Sequence, residues 1–264
     1  MNDSKSGIIE AGGAFMGIQD IHKREIDEED GTHVHGMQSE ATRRGQLAVV
    51  LTQVVSYALM IGLVGGLGAL TQAGAIASVT LSALAVLAVV IAWPFANGVT
   101  QTVFARALAV IVYVVAVAFN ISDGFPVSDK AFTRWSWFLI LAFLTIVVVS
   151  FGHQMWRKDR SHLIVSMSTG LIVSACALGS SCWLFLPSLM HDLLSAPDDG
   201  AWVAALVLVA LIALGVLLVI ASGSWWNEID GPSPYSWLGM GVMPVMLLGY
   251  VVYVAAFVAH LTLR

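Results

Sequence analysis

Long apolar runs separated by short polar connections fill the chain from residue 46 to its end. A helix rises about 1.5 Å per residue, so about 20 apolar residues cross the hydrocarbon core of a bilayer. Seven of the runs reach that length. We therefore expect an all-α, polytopic transmembrane helix bundle, with spans at about 46–70, 75–96, 103–122, 135–156, 162–186, 201–225 and 236–262.

Two features of this pattern leave six spans as the main alternative. The connection "TQAGA" between the first two runs is very short, and Arg106 interrupts the start of the third run. A charge within a span is costly, and a very short connection favours one long helix over two.

Composition gives the same class of protein. Hydrophobic residues make up 58% of the chain and charged residues 11%, and the mean hydropathy is +0.84. These values lie outside the range of soluble domains. We expect an integral membrane protein surrounded by the lipid bilayer, with no nucleic acid partner.

Residues 1–45 have a different character from the rest of the chain. They hold nine of the seventeen acidic residues, so most of the net charge of −5 belongs to this segment. Such a segment buries too little apolar surface to offset the entropy of ordering, and we expect a mostly disordered tail that offers a contact for a protein partner. His33 and His35 lie beside the acidic run "EIDEED", where a weak divalent metal site is conceivable. Solvated tail residues are the favoured interpretation, and we assign no metal and no cofactor.

The positions of Lys and Arg predict how the chain is oriented, because these residues resist translocation. A cytoplasmic N-terminus and an outer C-terminus place six basic residues inside and three outside. The inside set is Arg43, Arg44, Arg106, Arg157, Lys158 and Arg160, and the outside set is Lys130, Arg134 and Arg264.

Ionisable residues are absent from the centres of the predicted spans. Arg106, His153 and His260 lie near span ends, and Asp192 falls in the predicted loop after the fifth span. A proton relay through buried carboxylates, a retinal Schiff base and a haem held by paired His are therefore not expected. The stretch "ALGSSCW" has Ser and Cys but no span-centred His to act as a base, so we predict no catalytic residue there. His191 and Asp192, after Pro187, form a conceivable but least favoured interfacial site.

Small residues line one face of the fifth span. Their spacing places them in a single row on a helix, which is typical of a close helix contact in a membrane, either within the bundle or with a protein partner. This predicted packing seam consists of Ser166, Gly170, Ser174, Ala177 and Ser181. The alternative is that the hydroxyls of Ser168, Thr169 and Ser180 line a polar cavity.

The last span contains residues that weaken a helix, in the stretch "LGMGVMPVM". Pro244 removes a backbone hydrogen bond, and Gly239 and Gly241 ease bending. Because broken helices often form substrate sites in transporters, these three residues mark a predicted kink or substrate region.

Three functions fit the sequence. A non-catalytic membrane subunit or scaffold comes first, and a carrier or channel for an uncharged or lipid-like substrate, with its site between the fifth and last spans, is the alternative. An interfacial enzyme is the least favoured. A polar cavity reaching the middle of the membrane would favour the carrier, whereas a filled bundle would favour the scaffold.

Overall fold

A computed structural model describes residues 42–67, 71–93, 102–122, 129–156, 163–197, 200–226 and 235–263. Contacts divide the chain into two units, Met1–Gly45 and Gln46–Arg264, and the second unit holds the helical bundle. The predicted tail and its His33–His35 pair lie outside the described residues, apart from the tail's last few positions. Every regular element in the described ranges is helical, which confirms the all-α prediction. The α-helices are α1 (Thr42–Gly66), α2 (Gln72–Ile91), α3 (Thr102–Ser122), α4 (Asp129–Trp156), α5 (Leu163–Ser181), α6 (Leu186–Leu194), α7 (Ala201–Trp225) and α8 (Ser236–Thr262).

Seven spans are long and apolar enough to cross a membrane in the described part of the chain, so the seven-span prediction is confirmed over six. The short connection before α2 is accommodated because Thr71 caps that helix. The Thr71 Oγ1 accepts a hydrogen bond from the Gly74 amide at 3.1 Å, which satisfies a backbone donor that the helix leaves unpaired. Arg106 is accommodated because it lies in the first two turns of α3.

The fifth span is longer than predicted. A 3₁₀ turn, Cys182–Phe185, joins α5 to α6, and the apolar span runs from Met167 to Leu194. Pro187 does not end the span, because it lies in the first turn of α6. At that position the backbone N–H that proline lacks would have no partner within the helix. Asp192 therefore lies in a buried part of a helix, and its prediction as a loop residue is wrong.

The fifth span and α8 form the centre of the bundle. In an 18-residue apolar stretch of each helix, 78% of the residues are buried in the fifth span and 61% in α8, against 6% in α7. α5 packs against α2, α3, α4 and α8, whereas α7 packs against α8. The peripheral helices thus present most of their apolar side chains outward, as expected for a protein surrounded by lipid.

A close crossing joins α5 to α8 through two glycines. A Cβ atom placed on Gly249 would collide with the backbone of Gly179, and one placed on Gly179 would lie 2.6 Å from the Met246 carbonyl oxygen. Two side-chain hydrogen bonds flank the crossing. The Trp183 Nε1–H donates to the Val245 carbonyl at 2.9 Å, and the Tyr250 hydroxyl donates to the Ala175 carbonyl at 2.8 Å. The missing side chains allow backbone contact, which strengthens dispersion between helices in lipid.

Candidate functional site: an apolar cavity and a buried histidine–aspartate pair

The predicted seam residues lie in α5, and all those whose side chains are described are buried. Gly170, Ser174, Ala177 and Ser181 are buried, whereas the side chain of Ser166 lies outside the described set. A Cβ on Gly170 would lie 3.7 Å from the Ser150 Oγ of α4. That the five residues form one seam against a partner helix stays a prediction. The close crossing of α5 and α8 uses Gly179, which is not part of the seam.

One of the hydroxyls considered for a polar cavity is used in helix packing instead. The Ser180 Oγ donates to the Ser82 carbonyl of α2 at 3.0 Å. The Ser82 hydroxyl in turn lies 2.7 Å from the Tyr113 hydroxyl of α3. These bonds connect three helices through the interior, where an unmade hydrogen bond is costly.

The predicted kink region is buried against α1. Gly239, Gly241 and Pro244 are all buried within α8. A Cβ on Gly241 would lie 2.8 Å from the Val49 carbonyl oxygen and 2.9 Å from the Thr52 Cβ. The space beside Gly241 is therefore occupied by α1. A substrate role for the three residues stays a prediction.

A cavity of about 440 Å³ lies between α1, α6, α7 and α8, and we call it the apolar cavity. Its walls are almost entirely aliphatic, with Trp183 and Leu189 on the fifth span and Leu248 on α8. The space lies to the side of the Gly179–Gly249 crossing. The carrier hypothesis placed a site between the fifth and last spans, and residues of both spans line this cavity together with α1 and α7.

Gly215 of α7 helps to create the apolar cavity. It is buried and lines the cavity, yet nothing lies within 4 Å of the position that a Cβ would take. A larger side chain at this position would project into open volume. Sequence reasoning gave Gly215 no role, because an isolated glycine in a long apolar run has no recognisable spacing.

Among the described residues that line the apolar cavity, Tyr57 carries a hydroxyl group. The Ser222 hydroxyl of α7 donates to the Gln53 Oε1 of α1, and the Gln53 Nε2 donates to the Tyr57 hydroxyl at 3.3 Å. Among the described residues, none accepts the proton of the Tyr57 hydroxyl. This chain of side chains ties α1 to α7 and leaves one hydrogen-bond donor for a ligand in the cavity.

A buried carboxylate with two histidines lies on another face of α6. The Asp192 Oδ2 is 3.3 Å from the His260 Nδ1 of α8, and both side chains are at least 97% buried. The Asp192 Oδ1 is 3.5 Å from the Nδ1 of His191, which is 39% exposed. We call the first two residues the Asp192–His260 pair. It connects the ends of two spans, and it can hold a proton between a carboxylate and an imidazole.

Aromatic rings enclose the Asp192–His260 pair. The ring of Phe132 in α4 lies 4.9 Å from the His260 ring and 5.2 Å from that of Phe185. Phe132 is fully buried, so water is kept from this side of the pair. A charge in such surroundings is costly unless it is paired, which explains why the two residues adjoin. Sequence reasoning missed the contact because 68 residues separate them.

The helices, their hydropathy and the outward-facing apolar surface define a multi-pass membrane protein. No protein-family model matches the chain, and no curated protein and no solved structure matches it either.

Proposed function

We propose that this membrane protein binds and carries an uncharged, lipid-like molecule in the apolar cavity. The observation that supports the proposal is the cavity itself, whose volume of about 440 Å³ falls in the range of ligand pockets. It lies between helices that cross the membrane, so a ligand can enter from the bilayer without passing through water. This is the lipid-like form of the carrier hypothesis, since the volume is apolar where a carrier of polar solutes would need polar groups.

The lining specifies the chemistry of the ligand. The described residues that form the walls include no charged side chain, and a charge placed there would lose its hydration without gaining a partner. The Tyr57 hydroxyl provides one hydrogen-bond donor. The cavity thus suits an apolar body with a single carbonyl or hydroxyl oxygen.

Filling the cavity from α7 tests this proposal. We expect Gly215→Leu to lower binding of the co-purifying lipid-like molecule about tenfold, because the new side chain takes the place of about two ligand CH₂ groups at about 0.8 kcal/mol each. The measurement is mass spectrometry of neutral lipids extracted from protein purified in mild detergent.

Gly152→Leu is the matched control. Gly152 lies on an exposed face of α4 and also has nothing within 4 Å of its Cβ position, so the same chemical change is made away from the cavity. Protein that purifies free of neutral lipid, or equal retention by both variants, would rule out the binding proposal.

A second candidate function, the non-catalytic subunit or scaffold, is favoured by the exposure of α7. Gly215, Ser222 and Gly223 are its buried residues, and large apolar side chains such as Leu206 and Val209 face outward. A helix so little engaged in its own bundle can pack against a partner's helix. Purification with and without residues 1–45 separates the two proposals, since a protein partner lost on truncation supports the subunit and a retained neutral lipid supports the carrier.

We also propose the orientation with a cytoplasmic N-terminus, supported by the distribution of basic residues. Cys176 and Cys182 are buried, so cysteines can be introduced without background labelling. We expect a membrane-impermeant maleimide to label Ser195→Cys on intact cells. We expect it to label Trp156→Cys only after the cells are lysed. Both positions are exposed and lie at opposite ends of the fourth and fifth spans. The reverse labelling pattern would invert the orientation.

A further inference from the structure

Arg106 lies in a groove on the outside of the bundle, separate from the apolar cavity. Together with α2, the first turns of α3 form an open groove of about 540 Å³ whose other walls are Val90, Val103, Ala107, Val110 and Ile111. We call it the α2–α3 groove. Among the described residues, every wall except the arginine is apolar, so its guanidinium is the polar feature of a surface otherwise suited to hydrocarbon.

The guanidinium lacks a counter-charge in the described part of the chain. The Arg106 Nε is buried and donates to no acceptor there, and α3 has no acidic residue in its first turn. Arg134, in the first two turns of α4, differs because its guanidinium lies 5.2 Å from the centroid of the Phe119 ring. A guanidinium at a span end with no counter-charge favours an anionic or polar partner over hydrocarbon.

The position of Arg106 favours a lipid phosphate as the acceptor. It lies four residues into α3, at a span end, where the phosphates of bilayer lipids lie and to which an arginine side chain can extend. The planar guanidinium binds phosphate oxygens through paired N–H donors, and the adjacent apolar walls fit an acyl chain. A soluble anion would leave those apolar walls without a function.

We propose that the α2–α3 groove is a binding site for an anionic phospholipid. The lipid phosphate accepts hydrogen bonds from Arg106, and one acyl chain lies along Val103, Ala107 and Val110. The site is independent of the apolar cavity, because the two share no lining residue.

Native mass spectrometry of the protein in mixed micelles tests the site, with phosphatidylglycerol as the anionic probe and phosphatidylcholine as the zwitterionic one. We expect the wild-type protein to retain phosphatidylglycerol in preference to phosphatidylcholine. Arg106→Gln removes the charge and loses about tenfold in retention, because a charge-assisted contact is replaced by a neutral one. Ala107→Trp blocks the groove at an exposed position and gives a similar loss with Arg106 intact.

Arg134→Gln is the matched control, because it removes one positive charge from another span end, and we expect it to leave retention unchanged. Equal retention by Arg106→Gln and wild type, or equal retention of the two lipids, would overturn the proposal. Displacement of phosphatidylglycerol by inorganic phosphate would also overturn it, in favour of a simple anion site. Neutral lipid bound in the apolar cavity is measured separately, so the groove proposal and the cavity proposal can be overturned independently.

Discussion

Replacement of Gly249 by alanine is expected to destabilise the bundle by about 2 kcal/mol. The added methyl group would collide with the Gly179 backbone and lie 3.0 Å from the Trp183 ring, and backbone atoms cannot move aside as a side chain does. Overpacking of this kind costs about 1–3 kcal/mol or more, and exceeds the gain of about 1 kcal/mol that alanine brings to a helix. Unfolding in mixed micelles, followed by circular dichroism, measures the loss.

Gly152→Ala is the control for this prediction. It makes the same change at a helical position with no atom within 4 Å, so it is expected to be neutral or slightly stabilising. Gly179→Ala should be destabilising for the same reason as Gly249→Ala. The double variant should be less destabilised than the sum of the two, because both relieve their clash by separating the same helices. If Gly249→Ala is as stable as wild type in this measurement, the close approach of α5 and α8 is incorrect.

The spans were predictable because each depends on local composition alone. About 20 apolar residues in a row satisfy the bilayer whatever they contact. The crossing between spans was not predictable in the same way. Gly62 and Gly66 have the Gly-x-x-x-Gly spacing, yet nothing lies within 4 Å of either Cβ position, whereas Gly179 and Gly249 meet across two spans. Spacing in the sequence indicates which residues share a face of one helix. It contains no information about which faces of different helices are in contact.

The candidate sites were missed for related reasons. Pro187 and Asp192 were interpreted as the end of a span, because proline and charge usually terminate one. In the structure the proline lies in the first turn of α6, and the Asp192 carboxyl group contacts His260 of another helix. The apolar cavity depends on the missing side chain at Gly215, and a volume lined by four helices leaves no pattern in the sequence of any one of them.

The Asp192–His260 pair is expected to contribute more to stability than any other polar contact described. In Asp192→Ala the buried imidazole of His260 loses its carboxylate, and loss of one partner from a buried pair costs about 3–5 kcal/mol. His191 is not expected to replace the carboxylate, because an imidazole has at most one accepting nitrogen and this side chain is 39% exposed. The variant should unfold well before wild type in the same mixed-micelle measurement.

Replacing both partners distinguishes loss of the pair from loss of packing. Asp192→Leu with His260→Leu removes both polar groups from the site beside Phe132, and an apolar replacement of a buried pair is often neutral. We expect the double variant to be more stable than either single leucine variant, and His191→Ala, which removes the exposed histidine, to resemble wild type. A double variant as unstable as the sum of its single variants would show that the two side chains do not interact. Recovery in the double variant would establish that the pair joins α6 to α8 and so fixes the helix that forms one wall of the apolar cavity.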